Sequence, residues 1–242
     1  MTVPSRRDAL AAAGLGLTTL TLPRAAAHAT DLTPQVADTA SLVLHLDAGS
    51  TASYHGTGTT WTDLSAAGND VTWVADAAAP SWDAGGWFTF DGGDRLEVGA
   101  ILTAGSAYTV EAWVWDTSGG AGSRNIVSSS SDVLFLNGTT LHGGTGRSYL
   151  VTESPAFPTA TWQHVAFTVD PDIATVRLYR EGTQVDVATR SGGSAGEVLY
   201  IGAHVATSLW NGRIAEVRVY ASALTAAQVA ANRLTTAGRY AD

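Results

Sequence analysis

The sequence predicts an all-β fold: two packed antiparallel sheets, with one short helix near the C-terminal end. Three observations carry that prediction. Short segments of alternating apolar and polar residues recur along the chain, separated by Gly, Pro, Asn and Asp. No long helical periodicity falls between them, so the strands lack the crossover helices that a parallel sheet needs. The composition is that of strands and turns, with 26 Gly, 8 Trp and 7 Tyr among 242 residues. A hydrophobic content of 45% is ample for one core, and two facing sheets are how many short strands bury their apolar sides together.

Residues 1–29 read as an export signal. Arg6 and Arg7 precede an apolar stretch from Ala9 to Leu22, and Ala27-His28-Ala29 puts small residues at the cleavage positions. The pattern is of the twin-arginine type, with an ordinary Sec signal as the alternative. The apolar run is too short, and too rich in Ala, Gly and Thr, to make a membrane span. A secreted product without a membrane anchor is therefore expected. Residues 30–40 read as a flexible lead-in, 41–234 as the folded domain and 235–242 as a tail. The chain has no cysteine, which is compatible with export because a domain of this size can be stable without disulfides. Its formal charge of −9 argues against a nucleic-acid partner, whose phosphates it would repel.

The strands follow in order. Leu42, Leu44 and Leu46 alternate with Val43, His45 and Asp47. GWFTFD (86–91) and Arg95 to Val98 bracket Gly92-Gly93. YTVEAWVW (108–115) puts Tyr108, Val110, Ala112 and Val114 on one face, and Glu111, Trp113 and Trp115 on the other. Asn125 to Ser128 and Val133 to Leu136 are shorter, and Asn137-Gly138 is a hairpin signal. TWQHVAFTVD (161–170) puts Val165, Phe167 and Val169 on one face. Thr175 to Arg180 and Gln184 to Thr189 form a hairpin across Glu181-Gly182, and Val198 to Ile201 follows. In the last strand Ile214, Glu216, Arg218 and Tyr220 point one way, and Ala215, Val217 and Val219 the other. The helix then has its own start signal: Thr225 three residues before Gln228 is a capping box, with Leu224 and Val229 at the staple positions.

The ordered set of motifs resembles a known family. HLDAG (45–49) with WTDLSAAGND (61–70), FTFDG (88–92), YTVEAWV (108–114), WQHVA (162–166) and RIAEVRVYASALTAAQV (213–229) together resemble bacterial laminin G-like domains. These are concanavalin A-like lectin/glucanase jelly rolls. The resemblance implies a jelly-roll sandwich and a secreted, non-catalytic module. It would bind a glycan or extracellular polysaccharide, with an extracellular protein as the alternative partner. Glucanases of this class carry E-x-D-x-x-E on one strand, supplying the carboxylate pair that glycoside hydrolysis needs. None of the six glutamates here shows that spacing, so an enzyme ranks last and no catalytic residue is expected. The G-x-S-x-G match at 192–196 precedes a strand, where a hydrolase needs a helix.

Calcium, the one cofactor expected, wants several oxygens from turns. Asp91-Gly92-Gly93-Asp94 offers two acids with glycines that let carbonyls turn inward, and Asp47 and Asp63, near Asn69 and Asp70, offer a second set. Pentraxins, a related family, place an Asp at a position like Asp94. The acids they would add near 202–207 are replaced here by Ala203, His204, Val205, Ala206 and Thr207. Sugar binding needs aromatic faces beside polar groups. Trp113 and Trp115 on one strand face, and Tyr149, His204 and Trp210 from two loops, are the expected ligand contacts.

Overall fold

The computed structural model describes residues 36–73, 78–120, 122–145, 148–190 and 196–240, all within one unit, Thr33–Asp242. The expected export signal, the first part of the lead-in and most of the G-x-S-x-G loop lie outside the described residues. The strands are β1 (Leu42–Asp47), β2 (Thr60–Trp61), β3 (Val71–Trp73), β4 (Ser81–Asp83), β5 (Trp87–Asp91), β6 (Leu96–Gly99), β7 (Tyr108–Asp116) and β8 (Ser123–Ser128). They continue as β9 (Val133–Asn137), β10 (Thr140–Thr145), β11 (Ser148–Thr152), β12 (Trp162–Asp170), β13 (Thr175–Arg180), β14 (Thr183–Thr189), β15 (Leu199–Ile201) and β16 (Asn211–Tyr220). One helix, α1 (Ala226–Thr236), follows.

The strands form two eight-stranded antiparallel sheets. The first runs β14-β13-β12-β7-β16-β5-β4, with β1 pairing β16 alongside β5. The second runs β11-β10-β9-β8-β15-β6-β3-β2. Period-two alternation drives this arrangement. Leu44, Phe88, Val110, Val165, Phe167 and Val217 of the first sheet are buried in one core with Ile126, Leu134, Leu141, Val151 and Ile201 of the second. The expected turns close two hairpins. Gly138 has φ 61°, while Glu181 (φ 51°) and Gly182 (φ 73°) are both left-handed, as a tight twisted hairpin requires.

The last strand departs from the simple alternation. A bulge lies between Ile214 and Glu216, where the register with β7 shifts. Ala215 is the extra residue, and its carbonyl accepts from the Ala48 amide at 2.9 Å. The extra residue reverses the phase. Ile214 therefore joins Val217 and Val219 in the core, rather than Glu216, Arg218 and Tyr220. Arg213 is correspondingly turned to the outer face, paired across from Trp115.

That outer face of the first sheet is half covered by the C-terminal segment. The capping box forms as expected: Thr225 accepts from the Gln228 amide, and the Gln228 side chain accepts from the Thr225 amide at 2.8 Å. Leu224 and Val229 then pack on Ala166, Tyr179 and Tyr220 as a second small core. Thr225→Ala removes one cap bond and is expected to cost about 1 kcal/mol, read as a Tm lowered by about 2–4 °C in a thermal melt.

Both ends of the domain reach past 41–234. The Ala37 amide donates to Asn232 Oδ1 at 2.6 Å, so the end of the lead-in is pinned to α1. In the expected tail, Thr236 Oγ1 accepts from Trp113 Nε1 at 3.1 Å, and the Tyr240 ring lies 4.4 Å from that of Trp113.

Candidate functional site

The site is a cleft on the second sheet. β8 and β9 pair Asn125 with Phe135, and neither belongs to the core between the sheets. The connection from β15 to β16 folds back beside them. There the Asn125 amide donates to the Ser208 carbonyl at 2.8 Å, and His204 and Thr207 exchange backbone bonds of 2.8 and 2.9 Å. The turn is strained: Val205 (φ 57°) and Ser208 (φ 49°) both sit in the left-handed region. For a β-branched residue such as Val205 this is a clear outlier, costing on the order of 1–3 kcal/mol. Strain of this kind persists where the surroundings hold it, and it clusters at functional sites.

The cleft encloses about 300 Å³, the lower end of the range for small-ligand sites. Ser123, Ser130, Ser131 and Ser208 put hydroxyls around it, with Asn125 and His204, over an apolar floor of Val133 and Phe135. His204 Nε2 lies 3.3 Å from the Ser130 carbonyl, which orients the ring. Asn125 is only 3% exposed, yet its Oδ1 has no hydrogen-bond partner. A buried amide oxygen left unpaired costs about 1–3 kcal/mol, and a turn of the Asn125 amide toward a ligand hydroxyl would recover that. Behind Ser131 lies Glu197, whose Oε1 accepts from Ser131 Oγ at 2.9 Å. Burial pushes its carboxyl up, but bonds from Ser130, Ser131 and Ser129 outweigh this and hold it below the usual carboxylate value. The cleft thus offers hydroxyl, amide and imidazole groups over a small apolar patch, a set suited to a polyol.

Of the expected ligand contacts, His204 lines this cleft. Tyr149 lies in β11 opposite Gly144. Two of the tryptophans need correcting. Trp210 is fully buried in the core between the sheets, and Trp113 is 2% exposed beneath Thr236 and Tyr240, so neither presents a ring face to a ligand. Trp115 stays partly exposed, edge-on to Trp162 at 5.7 Å. Sequence reasoning missed Asn125, Phe135 and Ser208. Their hydroxyl, amide and ring groups converge only once the 202–210 loop folds back, and no local pattern announces that.

The four expected calcium ligands do not assemble a cage. Asp63 is saturated: Oδ1 accepts from the His45 and Ser65 amides, and Oδ2 from the Asn69 amide, each at 2.8 Å, and Oδ2 also from Ser65 Oγ at 2.7 Å. Asp94 is 3% exposed and accepts from the Asp91 amide at 2.8 Å. Burial raises its carboxyl above the usual value, with that hydrogen bond pulling the other way. Asp91 is exposed, and its Oδ1 accepts from Gly93 at 2.8 Å. Asp47 belongs to a different cluster, with His45 and Glu216, the one group of three potential metal ligands among the described residues. Arginines serve it instead. Arg239 Nη1 is 2.9 Å from Asp47 Oδ2, Arg239 Nη2 is 3.6 Å from Glu216 Oε2, and Arg218 donates to Glu216 Oε1. These acids fold turns and hold arginines, so a cation would have to displace bonds the fold already uses.

Comparison with known proteins extends the picture. The sequence matches the family profile Laminin_G_3, of the concanavalin A-like lectin/glucanases superfamily, over residues 90–230. No curated protein matches it. Among solved structures, domain 4 of AbnA, a GH43 extracellular arabinanase from Geobacillus stearothermophilus in complex with arabinotriose, is 20% identical with a TM-score of 0.52, over 78% of this chain and 96% of that one. Trypanosoma rangeli sialidase in complex with sialic acid is 14% identical with a TM-score of 0.62, over 84% of this chain and 34% of that one. The binding domain of Botulinum Neurotoxin DC in complex with SialylT is 13% identical with a TM-score of 0.56, over 82% of this chain and 52% of that one. At these identities the likeness shows the fold alone. The profile match spans more than half of the chain, and with the two-sheet sandwich described above the protein belongs to the laminin G-like family of the concanavalin A-like lectin/glucanase superfamily.

Proposed function

We propose that this protein is a secreted, non-catalytic module that binds a saccharide in the cleft between β8, β9 and the 202–210 loop. The observation that carries the reading is the cleft itself, ringed by serine hydroxyls and His204 and lined by Asn125, whose buried amide oxygen has no hydrogen-bond partner. The arabinanase domain, the sialidase and the toxin domain that share the fold were each solved with a saccharide or sialyl ligand, which supports a glycan as the ligand class. The non-catalytic part is supported by Glu111 and Glu216. This neighbouring acid pair on β7 and β16 is 1% exposed on both sides and shares the guanidinium of Arg218 beneath α1. The Arg6-Arg7 signal supports export.

The test is a glycan-array screen of the full chain, followed by calorimetry on the strongest ligand. Asn125→Ala and His204→Ala are each expected to weaken binding about tenfold, the loss of one hydrogen bond of about 1.4 kcal/mol, with little change in Tm for His204→Ala. Affinity unchanged in both variants would remove the cleft from consideration. Chelator is expected to leave binding unchanged, because Asp47, Asp63 and Asp94 are engaged elsewhere. Binding lost on chelation would return attention to Asp91, the exposed acid of the set.

A further inference from the structure

The open half of the first sheet's outer face carries a second feature, distinct from the cleft. Arg213 projects there because of the bulge at Ala215. Its Cζ lies 4.8 Å from the ring centre of Trp87 and 4.9 Å from that of Trp115. Trp162 continues the aromatic surface, 5.8 Å from Trp87 and 5.7 Å from Trp115, and Tyr240 lies 5.1 Å beyond. Trp87, Trp115, Trp162, Arg213 and Tyr240 are all partly exposed. Beside Arg213, β7 and β16 approach so closely that a Cβ on Gly212 would stand 2.1 Å from the Trp115 carbonyl oxygen. Glycine at that position lets the pair meet.

The contacts of Arg213 are unlike those of its neighbours. Arg124, Arg180, Arg218, Arg233 and Arg239 each pair with a carboxylate. Arg213 has neither an acidic partner nor a hydrogen bond among the described residues, and its guanidinium lies instead over the two indoles. A cation–π contact uses the charge and restrains the side chain, but it leaves the N–H donors of the guanidinium unspent. Held in this way, the guanidinium loses little further freedom when a planar anion docks, and it matches carboxylate geometry with two parallel bonds. The indoles and Trp162 flank that position with apolar edges. The chain as a whole carries −9, so it repels polyanions at long range, and any preference for an anion must come from a local site.

We propose that Arg213, clamped between Trp87 and Trp115, is a binding site for an acidic saccharide, one whose carboxylate or sulfate oxygens take the guanidinium N–H groups while its ring lies along the tryptophans. The saccharide part of this proposal rests on the glycan-binding reading above; the anionic part rests on Arg213 alone.

Calorimetry of the full chain with trigalacturonate, its fully methyl-esterified form and a sulfated disaccharide separates the possibilities. The acid, the sulfate or both are expected to bind roughly tenfold to hundredfold more tightly than the ester, the range for hydrogen bonds to a charged group. Preference for trigalacturonate identifies a carboxylate, and preference for the sulfated sugar identifies a sulfate ester. Arg213→Gln is expected to abolish the difference and Arg213→Lys to keep part of it. Should Arg213→Gln fail to fold, the Arg213 Nε–H resonance of the native chain, assigned by its absence in Arg213→Lys, gives a second measurement and is expected to shift with the acidic ligand and not with the ester. Equal affinity for acid, sulfate and ester, or an unchanged preference in Arg213→Gln, overturns the proposal. Loss of neutral-sugar binding in the Asn125 and His204 variants bears on the cleft and leaves this site untouched.

Discussion

Arg218→Ala is expected to lower the unfolding free energy by about 3–5 kcal/mol, the cost of removing one partner from a buried ion cluster. Arg218 is 1% exposed, as are Glu111 and Glu216. Its Nη1 donates to Glu111 Oε1 at 3.0 Å, and its Nη2 donates to Glu216 Oε1 and to Thr235 Oγ1, the latter at 3.1 Å. One guanidinium therefore serves two carboxylates that sit on neighbouring strands under a helix. Glu216 has further support: His45 Nε2 lies 2.8 Å from Oε1, and Thr236 Oγ1 donates to Oε2 at 2.8 Å. Burial pushes the Glu216 carboxyl up, but Arg218, His45 and Thr236 outweigh it and bring the pKa down to about 2. Glu111 has less help. Burial raises its carboxyl above the usual value in spite of Arg218, and its Oε2 has no hydrogen-bond partner.

Without the guanidinium, Glu111 would lose its one cationic hydrogen-bond partner and Glu216 would keep only Arg239, at 3.6 Å, and His45, and Tyr220 and Asn232 could not replace the charge. Urea unfolding of the variant reads the loss directly. Arg218→Met keeps most of the volume and should lose nearly as much, because the charge is what matters. Adding Glu111→Gln and Glu216→Gln to Arg218→Met should recover a large part of it. A loss below about 1 kcal/mol in Arg218→Ala, the scale of an exposed pair, would show that water reaches the cluster.

Acid is expected to destabilise the protein well above the carboxylate range, and His164 is the cause. It lies on β12, fully buried, with its ring edge-on to Trp113 at 5.4 Å and its Nε2 3.7 Å from Glu111 Oε2. Burial, reinforced by the charge of Arg218, lowers its pKa from 6.5 to about 3. As pH falls below about 6.5 the unfolded chain takes up a proton at this histidine and the folded chain does not, so the unfolded state is favoured. Stability should fall by up to about 1.4 kcal/mol per pH unit from this residue, until the folded site protonates near 3. Glu216 adds a second decline of the same sign. Its folded pKa of about 2 lies below the ordinary 4.5, so its contribution is complete above about 4.5 and is lost as pH falls toward 2. Urea midpoints at pH 7.5, 6.5, 5.5, 4.5 and 3.5 should fall between 6.5 and 4.5, then more steeply to 3.5. His164→Phe is expected to flatten the first part and leave the second. An unchanged slope between pH 6.5 and 4.5 in that variant would assign the proton uptake to another group.

Both effects arise on a strand face that reads as solvated. In β16 the residues Glu216, Arg218 and Tyr220, and in β7 Glu111 and Trp113, alternate with core residues just as a water-facing row would. They are nonetheless sealed, because the capping box at Thr225 sets α1 across them and the segment to Tyr240 continues the cover. Nothing in the alternation itself distinguishes a polar row in water from a polar row under a helix. The difference is whether a distant segment comes to lie on it.

The local features were legible because their causes are local. Strand alternation reflects a backbone whose side chains reverse at every residue, the Glu181-Gly182 turn reflects two positive φ angles, and the helix start reflects two side chains reaching amides three residues away. From these, together with the family motifs, follow the two-sheet class, the core faces of β7 and β12, and the C-terminal helix. The site was not legible in the same way. Asn125 and His204 meet only when β8 and the 202–210 loop converge. Trp210 and Trp113 are apolar enough for either a groove or a core, and packing put both inside. Arg213 reached the outer face because one extra residue, Ala215, reversed the phase of its strand, and a period-two reading from Ile214 to Tyr220 cannot contain that shift. Sequence by itself determined which segments become strands and which of their faces are apolar. The tertiary structure decided which polar face is covered and which polar groups converge, because both depend on contacts between residues that the chain keeps far apart.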